Sequence, residues 1–298
     1  MNKPQLGRIR CATLVTRDVE ASSNLYATSL GYRIVERATI SAALAAAWKA
    51  PAMTGARYAM LDSAKGSGTY LRWVECPDSP DYAPFSAFGW NALELTVQDC
   101  DRAAAQLARH GFRLAGPPED LAFSSGALRA AQLQGSSGEV LYLTQIKRQL
   151  DGFQLPTARC LIDRLFIAIL TGSSPEAGLR AYGQRFANRA TDPFTTAVPV
   201  IARFQALDPQ HPYRIGTLAL APEYYLEFDD APGHVGPRII PDGHLPPGIA
   251  MITLECAGTD TTCSTASAGF RPGGMLYGPN IVRRTTGPFG EWLELLSE

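Results

Sequence analysis

The chain has 298 residues, 46% of them hydrophobic and 18% charged, which is enough apolar mass for two ordinary domains with real cores. Its formal net charge of −1 gives no overall field toward nucleic acid or an anionic membrane. The opening MNKPQLGRIRC lacks a signal-peptide apolar run and no apolar stretch reaches transmembrane length, so a cytoplasmic protein without membrane contact is expected.

Taken along the chain, residues 13–18 read as an apolar strand ending in Asp18. A helix-like stretch follows over Val19–Leu30, then Gly31 and a strand beginning at Tyr32. Residues 93–97 and Asp99 start the same plan again, followed by a helix over 100–110, Gly111 and a strand from Phe112. Asp accepts hydrogen bonds from the free N–H groups of a helix start, and Gly takes the left-handed conformation that stops one. Residues 147–159 are polar, contain Gly152 and Pro156, and read as a linker. Residues 231–247 and 258–274, rich in Pro, Gly, Ser or Thr, read as long loops. The six cysteines (Cys11, Cys76, Cys100, Cys160, Cys256, Cys263) form no CxxC pair, so free thiols are expected.

The chain also repeats itself. Gly138-Glu139-Val140-Leu141-Tyr142-Leu143 echoes Gly290-Glu291-Trp292-Leu293-Glu294-Leu295. Tyr70-Leu71-Arg72-Trp73 echoes Tyr225-Leu226-Glu227-Phe228, and Gly89-Trp90-Asn91-Ala92-Leu93 echoes Gly248-Ile249-Ala250-Met251-Ile252. The three matches keep their order, so a unit of about half the chain is duplicated.

An apolar strand, Asp, a helix, a Gly-aromatic step and a closing Gly-x-x-apolar-x-apolar strand resemble the vicinal-oxygen-chelate superfamily of glyoxalases, bleomycin-resistance proteins and extradiol dioxygenases. The resemblance runs from about Ile9 to Leu295 and is clearest over 9–146. It implies an α+β fold of tandem paired βαβββ modules, with one paired domain over 1–146, a linker over 147–159 and a second paired domain over 160–298. In that superfamily two modules curl into a cup that holds a divalent metal and a small organic substrate, with His or Glu ligands at four places. Those places hold Cys11, Arg72, Ala92 and Tyr142 in the first half, and Arg164, Glu227, Met251 and Glu294 in the second. The usual donors are thus largely missing. No metal ligand and no cofactor are assigned, although a divalent ion keeps two carboxylate donors.

Side chains alternate along a strand, so parity sorts the cup-facing residues. By parity the second cup carries Arg164, Phe166, Tyr225, Glu227, Glu255, Trp292 and Glu294. There the clustered carboxylates Glu227, Glu255 and Glu294 would raise one another's pKa and act as acid or base, while Arg164 clamps a substrate oxygen. The first cup carries Cys11, Arg72, Glu94 and Tyr142 as substrate-binding residues: Arg72 pairs with Glu94, Tyr142 donates a hydrogen bond, and Cys11 is a nucleophile or a buried apolar group. His110 caps a helix, His211 lies in a turn, and His234 and His244 lie in the long loop, where they could swing over the second cup.

The expected partner is a small organic molecule, bound by a monomer or homodimer. The leading expectation is a small carbonyl or aromatic metabolite handled by an acid–base lyase or isomerase that lacks the usual metal set. The alternatives are a non-catalytic, drug-sequestering binder and a metal-dependent ring-cleaving dioxygenase. The fold alone does not choose among them.

Overall fold

In the computed structural model, residues 3–258 and 269–298 are described. The first module runs β1 (Gln5–Thr16), α1 (Val19–Leu30), β2 (Arg33–Thr39), α2 (Ala42–Trp48), β3 (Arg57–Asp62) and β4 (Tyr70–Glu75). The second runs β5 (Gly89–Val97), α3 (Cys100–Arg109), β6 (Arg113–Asp120), β7 (Leu128–Gln134) and β8 (Val140–Ile146). The third runs β9 (Ile162–Gly172), α4 (Pro175–Arg185), β10 (Phe194–Ala197), α5 (Pro199–Phe204), β11 (Pro212–Ala219) and β12 (Tyr225–Asp230). The fourth has β13 (Ile249–Ala257), α6 (Gly274–Tyr277), β14 (Ile281–Thr286) and β15 (Trp292–Ser297). The expected loop over 258–274, and Cys263 with it, lies largely outside the described residues.

The helix signals read from sequence act as anticipated. Asp18 accepts from the Ala21 amide at 2.9 Å, and Gly31 ends α1 in the left-handed conformation at φ 72°. Asp99 accepts from the Arg102 amide at 2.9 Å, and His110 occupies the C-cap of α3.

Two curled mixed sheets result. One has seven strands in the order β14-β15-β13-β1-β4-β3-β2, and the other eight in the order β10-β11-β12-β9-β5-β8-β7-β6. The first module therefore shares a sheet with the fourth, through antiparallel β1 and β13 (Cys11 opposite Thr253). The second shares a sheet with the third, through antiparallel β5 and β9 (Glu94 opposite Ile167). This corrects the expectation that each half of the chain closes its own cup. Alternation of side chains says which face of a strand is buried but nothing about which neighbour its edge meets.

The convex faces of both sheets pack with α1, α3 and α4 in one apolar core that includes Tyr26, Trp73, Trp90, Leu141, Leu165, Tyr182 and Leu293. Trp90 Nε1 donates to the Trp292 carbonyl at 2.8 Å, tying one sheet to the other. The repeated Gly-Glu step is a latch at this level. Glu139 accepts from the Ser137 amide at 3.0 Å and from the Tyr26 hydroxyl at 2.7 Å. Glu291 does the same with the Phe289 amide at 2.9 Å and the Tyr182 hydroxyl at 2.9 Å. A Cβ on Gly135 or Gly287 would stand 1.7 Å from the Oε1 of its glutamate, so the full repeat is Gly-x-x-Gly-Glu.

Candidate functional site

The two concave faces differ in what fills them. On the seven-stranded sheet α2 drops Trp48 into the hollow, and α6 adds Leu276 and Tyr277. These pack with Cys11, Met60, Tyr70, Met251 and Trp292. At the centre lies a polar knot. Glu294, 0% exposed, accepts from Trp48 Nε1 at 2.6 Å, from the Thr253 hydroxyl at 2.7 Å and from the Tyr277 hydroxyl at 3.1 Å. Arg72 lies 3.5 Å from Glu294 and also donates to Thr13 at 2.8 Å and to the Tyr277 hydroxyl at 2.6 Å. Burial opposes the charge on Arg72, but Tyr277 and Glu294 raise its pKa overall. Burial pushes the Cys11 thiol up to about 12, past the opposing pull of Arg72, so Cys11 is a protonated core residue at neutral pH.

The eight-stranded sheet keeps its hollow. A cavity of about 580 Å³ lies on its concave face, with Glu94, Tyr142, Thr144 and Glu227 on the strands and Phe123, Phe153 and Phe194 around them. Register places Glu94 directly beside Tyr142, and Ile169, two residues beyond the Glu94 partner Ile167, beside Glu227. The two carboxylates therefore stand on strands separated by one strand and offset by two residues, about 12 Å apart at the backbone. Burial pushes the Glu94 carboxyl up to about 7, with the Thr144 hydroxyl acting the other way. The Glu227 carboxyl is raised well above its ordinary value, first by burial and then by the charges of Asp229 and Glu94. Asp229 is raised by burial, then by Asp230 and Glu94. The Tyr142 hydroxyl is buried and has no hydrogen-bond partner among the described residues. Burial and the acidic neighbours Asp229, Glu227 and Glu94 keep it protonated.

The structure divides the expected constellations. Glu94, Tyr142, Phe166, Tyr225 and Glu227 share the concave face of the eight-stranded sheet or the apolar cluster beneath it. Cys11, Arg72, Trp292 and Glu294 belong to the filled hollow of the other sheet. Arg72 therefore pairs with Glu294 and not with Glu94. Arg164 and Glu255 enter neither hollow. Arg164 pairs with Glu223 and lies over the Tyr224 ring at 5.3 Å, and Glu255 meets Arg10 at 3.0 Å near the surface. For Arg164 the cause is an irregularity in β9 between Ile162 and Leu165, because Val97 faces Ile162 while Leu95 faces Leu165 and one residue there is extra. A second bulge changes parity for the residues that follow it. Leu95 faces Leu165 while Glu94 faces Ile167, so Phe166 is extra and parity changes there. Ile167 and Ile169 consequently join the concave cluster, and Ala168 joins the convex core, reversing the assignment by simple alternation. His234 is exposed and His244 half-buried, and the His244 ring hydrogen-bonds its own turn at the Asp242 carbonyl, 2.9 Å away.

Two features of the site are not evident from sequence alternation as applied above. Asp229 stands two residues after Glu227 on the same face, so alternation carried two residues further would find it. The expected linker lays Leu150, Asp151, Phe153 and Leu155 along the cavity wall. Tyr225 fixes it by accepting from the Gln154 amide at 2.8 Å and donating to the Gln154 carbonyl at 3.1 Å. Its polar composition disguises this role.

The divalent metal implied by the superfamily meets a poor donor set. No group of three or more His, Cys, Asp or Glu side chains among the described residues is arranged to hold a metal ion. In the filled hollow a guanidinium stands beside the one carboxylate, and in the open one no imidazole or thiolate accompanies Glu94 and Glu227. Among the described residues no helix is long and apolar enough to cross a membrane.

Comparison with known proteins agrees with this architecture. No curated protein matches the sequence. Glyoxalase I from Zea mays superposes with a TM-score of 0.63 at 15% identity, over 99% of this chain and 93% of that one. A putative dioxygenase from Bacillus subtilis superposes with a TM-score of 0.64 at 9% identity, over 98% of this chain and 85% of that one. At such identities the likeness is one of fold. The family model of the Glyoxalase/Bleomycin resistance protein/Dioxygenase superfamily matches residues 8–136. Residues 8–136 are thus similar to the glyoxalase, bleomycin-resistance and dioxygenase superfamily, and the fold that this similarity implies runs along the whole chain.

Proposed function

We propose that the open hollow binds a small carbonyl-bearing or aromatic molecule and moves a proton on it, as in a lyase or isomerase, using the chain's own residues in place of the superfamily's metal. The observation that carries this reading is the pairing of Glu94, whose carboxyl is pushed up to about 7, with the adjacent unpartnered hydroxyl of Tyr142, both on the wall of a 580 Å³ cavity. A base that titrates near the working pH is suited to take a proton from carbon. Ionised Glu94 removes the proton next to the carbonyl. The released electron pair moves to the carbonyl oxygen, and the Tyr142 hydroxyl donates a hydrogen bond to that oxygen. Return of the proton from Glu94 to the same or a neighbouring carbon restores the enzyme.

The test is hydrogen–deuterium exchange next to the carbonyl, followed by NMR for a panel of small aromatic ketones and 2-oxo acids, in buffer containing EDTA. Glu94→Gln should slow exchange about 10²–10⁴-fold. An unchanged rate in that variant removes Glu94 from the role, and activity that appears only with added Mn²⁺ or Fe²⁺ refutes the metal-free reading. A second reading, capture without chemistry, is favoured by the aromatic walls Phe123, Phe153 and Phe194. Saturable binding with no exchange and no product would select it.

A further inference from the structure

The other buried, hydrogen-bonded carboxylates show how this chain accommodates such groups. Asp163 is held by Arg159 at 2.7 Å and Ser63 at 3.0 Å, Glu294 by Arg72, Trp48, Thr253 and Tyr277, and Glu139 and Glu291 by tyrosine hydroxyls and turn amides. Glu94, Glu227 and Asp229 break this pattern. No basic side chain pairs with any of them among the described residues, and the Asp229 Oδ1 atom is buried without a partner. Glu94 is 7% exposed, Asp229, behind the cavity wall, 1%, and Tyr142, whose hydroxyl is also unpartnered, 8%, while Glu227 is half-buried on the wall itself. The arginines that reach the cavity, Arg148 and Arg203, are exposed at its rim. Arg148 already donates to the Ser124 and Ser125 carbonyls. The rim also carries Glu119 and Asp151, so it adds little net charge, and solvent screens what it has.

A buried carboxylate without a counter-charge either stays protonated or waits for a cation. We propose that the open hollow is built for a ligand with a cationic head, a protonated amine, which seats on Glu227 of the cavity wall, backed by the buried Asp229, while its apolar body lies against Phe153, Phe123 and Phe194. This rests on the reading of that hollow as the ligand site and adds the class of molecule it selects. Glu94, on the far side of the intervening strand β9, keeps its role as the proton carrier. Seating the cation favours ionisation of the Glu227–Asp229 pair, so binding releases a proton to solvent.

The experiment is isothermal titration calorimetry of the full chain at pH 7.5 with EDTA present, using three probes of similar shape. They are 2-phenylethylammonium, the neutral 2-phenylethanol and the anion phenylacetate. The cation should bind about tenfold or more tightly than the alcohol, with the anion weakest. Its apparent enthalpy should change between buffers of different ionisation heat in the sense of proton release. Glu227→Gln should bring the cation within about twofold of the alcohol. Equal or tighter binding of the alcohol or phenylacetate overturns this inference and leaves the hollow a ligand site. Absence of binding by all three overturns the ligand-site reading together with it. The ranking in the unaltered protein decides the matter even where the variant fails to fold.

Discussion

Replacing Glu294 by Gln separates a structural carboxylate from a functional one. The change keeps the size of the side chain and removes its charge. Glu294 is 0% exposed and gathers four donors: Trp48 Nε1, the Thr253 and Tyr277 hydroxyls and Arg72. A carboxamide has one acceptor oxygen and brings two N–H donors of its own, so at least one neighbour loses its partner. Arg72 suffers most, because its side chain is 2% exposed and its one carboxylate contact is Glu294 at 3.5 Å. Leaving a buried charge uncompensated costs about 3–5 kcal/mol. That is a large share of a typical folding free energy of about 5–15 kcal/mol. Urea unfolding followed by circular dichroism should show the unfolding free energy falling by that amount, as a lower midpoint at an unchanged slope. The companion change Glu227→Gln should be neutral or stabilising, because it removes an acidic group that has no basic partner. A loss below about 1 kcal/mol in Glu294→Gln, or a larger loss in Glu227→Gln, would refute the division into a filled and an open hollow.

Two further outcomes concern stability. Gly287→Ala should destabilise the chain by about 1–3 kcal/mol, since its Cβ would meet the Glu291 carboxylate at 1.7 Å, and a thermal melt unchanged from the parent would contradict the latch. Glu94, Glu139 and Glu291 all have carboxyls pushed up to about 7 by burial, from an ordinary value of 4.5. Between those values the folded chain holds protons that the unfolded chain has released, so stability falls as pH rises through the window, by up to about 1.4 kcal/mol per pH unit for each proton held. Urea midpoints should therefore be higher at pH 5 than at pH 8, and the reverse order would mean that burial does not hold these carboxyls protonated.

The repeat, the helix caps and the closing strands are readable in the sequence because each has a local cause. Asp18 and Asp99 cap helices through their own side chains, and the Gly-x-x-Gly-Glu turn carries its glutamate acceptor within five residues. What sequence does not show is non-local. Nothing in residues 5–16 says that their edge meets residues 249–257 and not the closer 89–97, and that choice decides whether Arg72 faces Glu94 or Glu294. The bulge at Phe166 is equally hidden, since an apolar run such as Leu165-Phe166-Ile167-Ala168-Ile169 reads the same in either parity. Within the candidate site Glu94, Tyr142 and Glu227 are found by alternation, which holds along strands without irregularity. The part played by residues 150–155 depends on their packing against Tyr225, a contact that composition does not record.

The crossed arrangement of modules has a consequence for biosynthesis. Residues 89–230 are contiguous and supply every strand of the eight-stranded sheet, so that sheet can close while the C-terminal segment is still being made. The seven-stranded sheet cannot, because β1 must wait for β13, with Cys11 meeting Thr253 only after nearly the whole chain has left the ribosome. Until then the free edge of β1 is open to pairing with another nascent copy. Expression of a fragment ending at residue 248 should accordingly yield aggregates or strand-exchanged dimers, while a short peptide spanning 249–298 supplied in trans should suppress them.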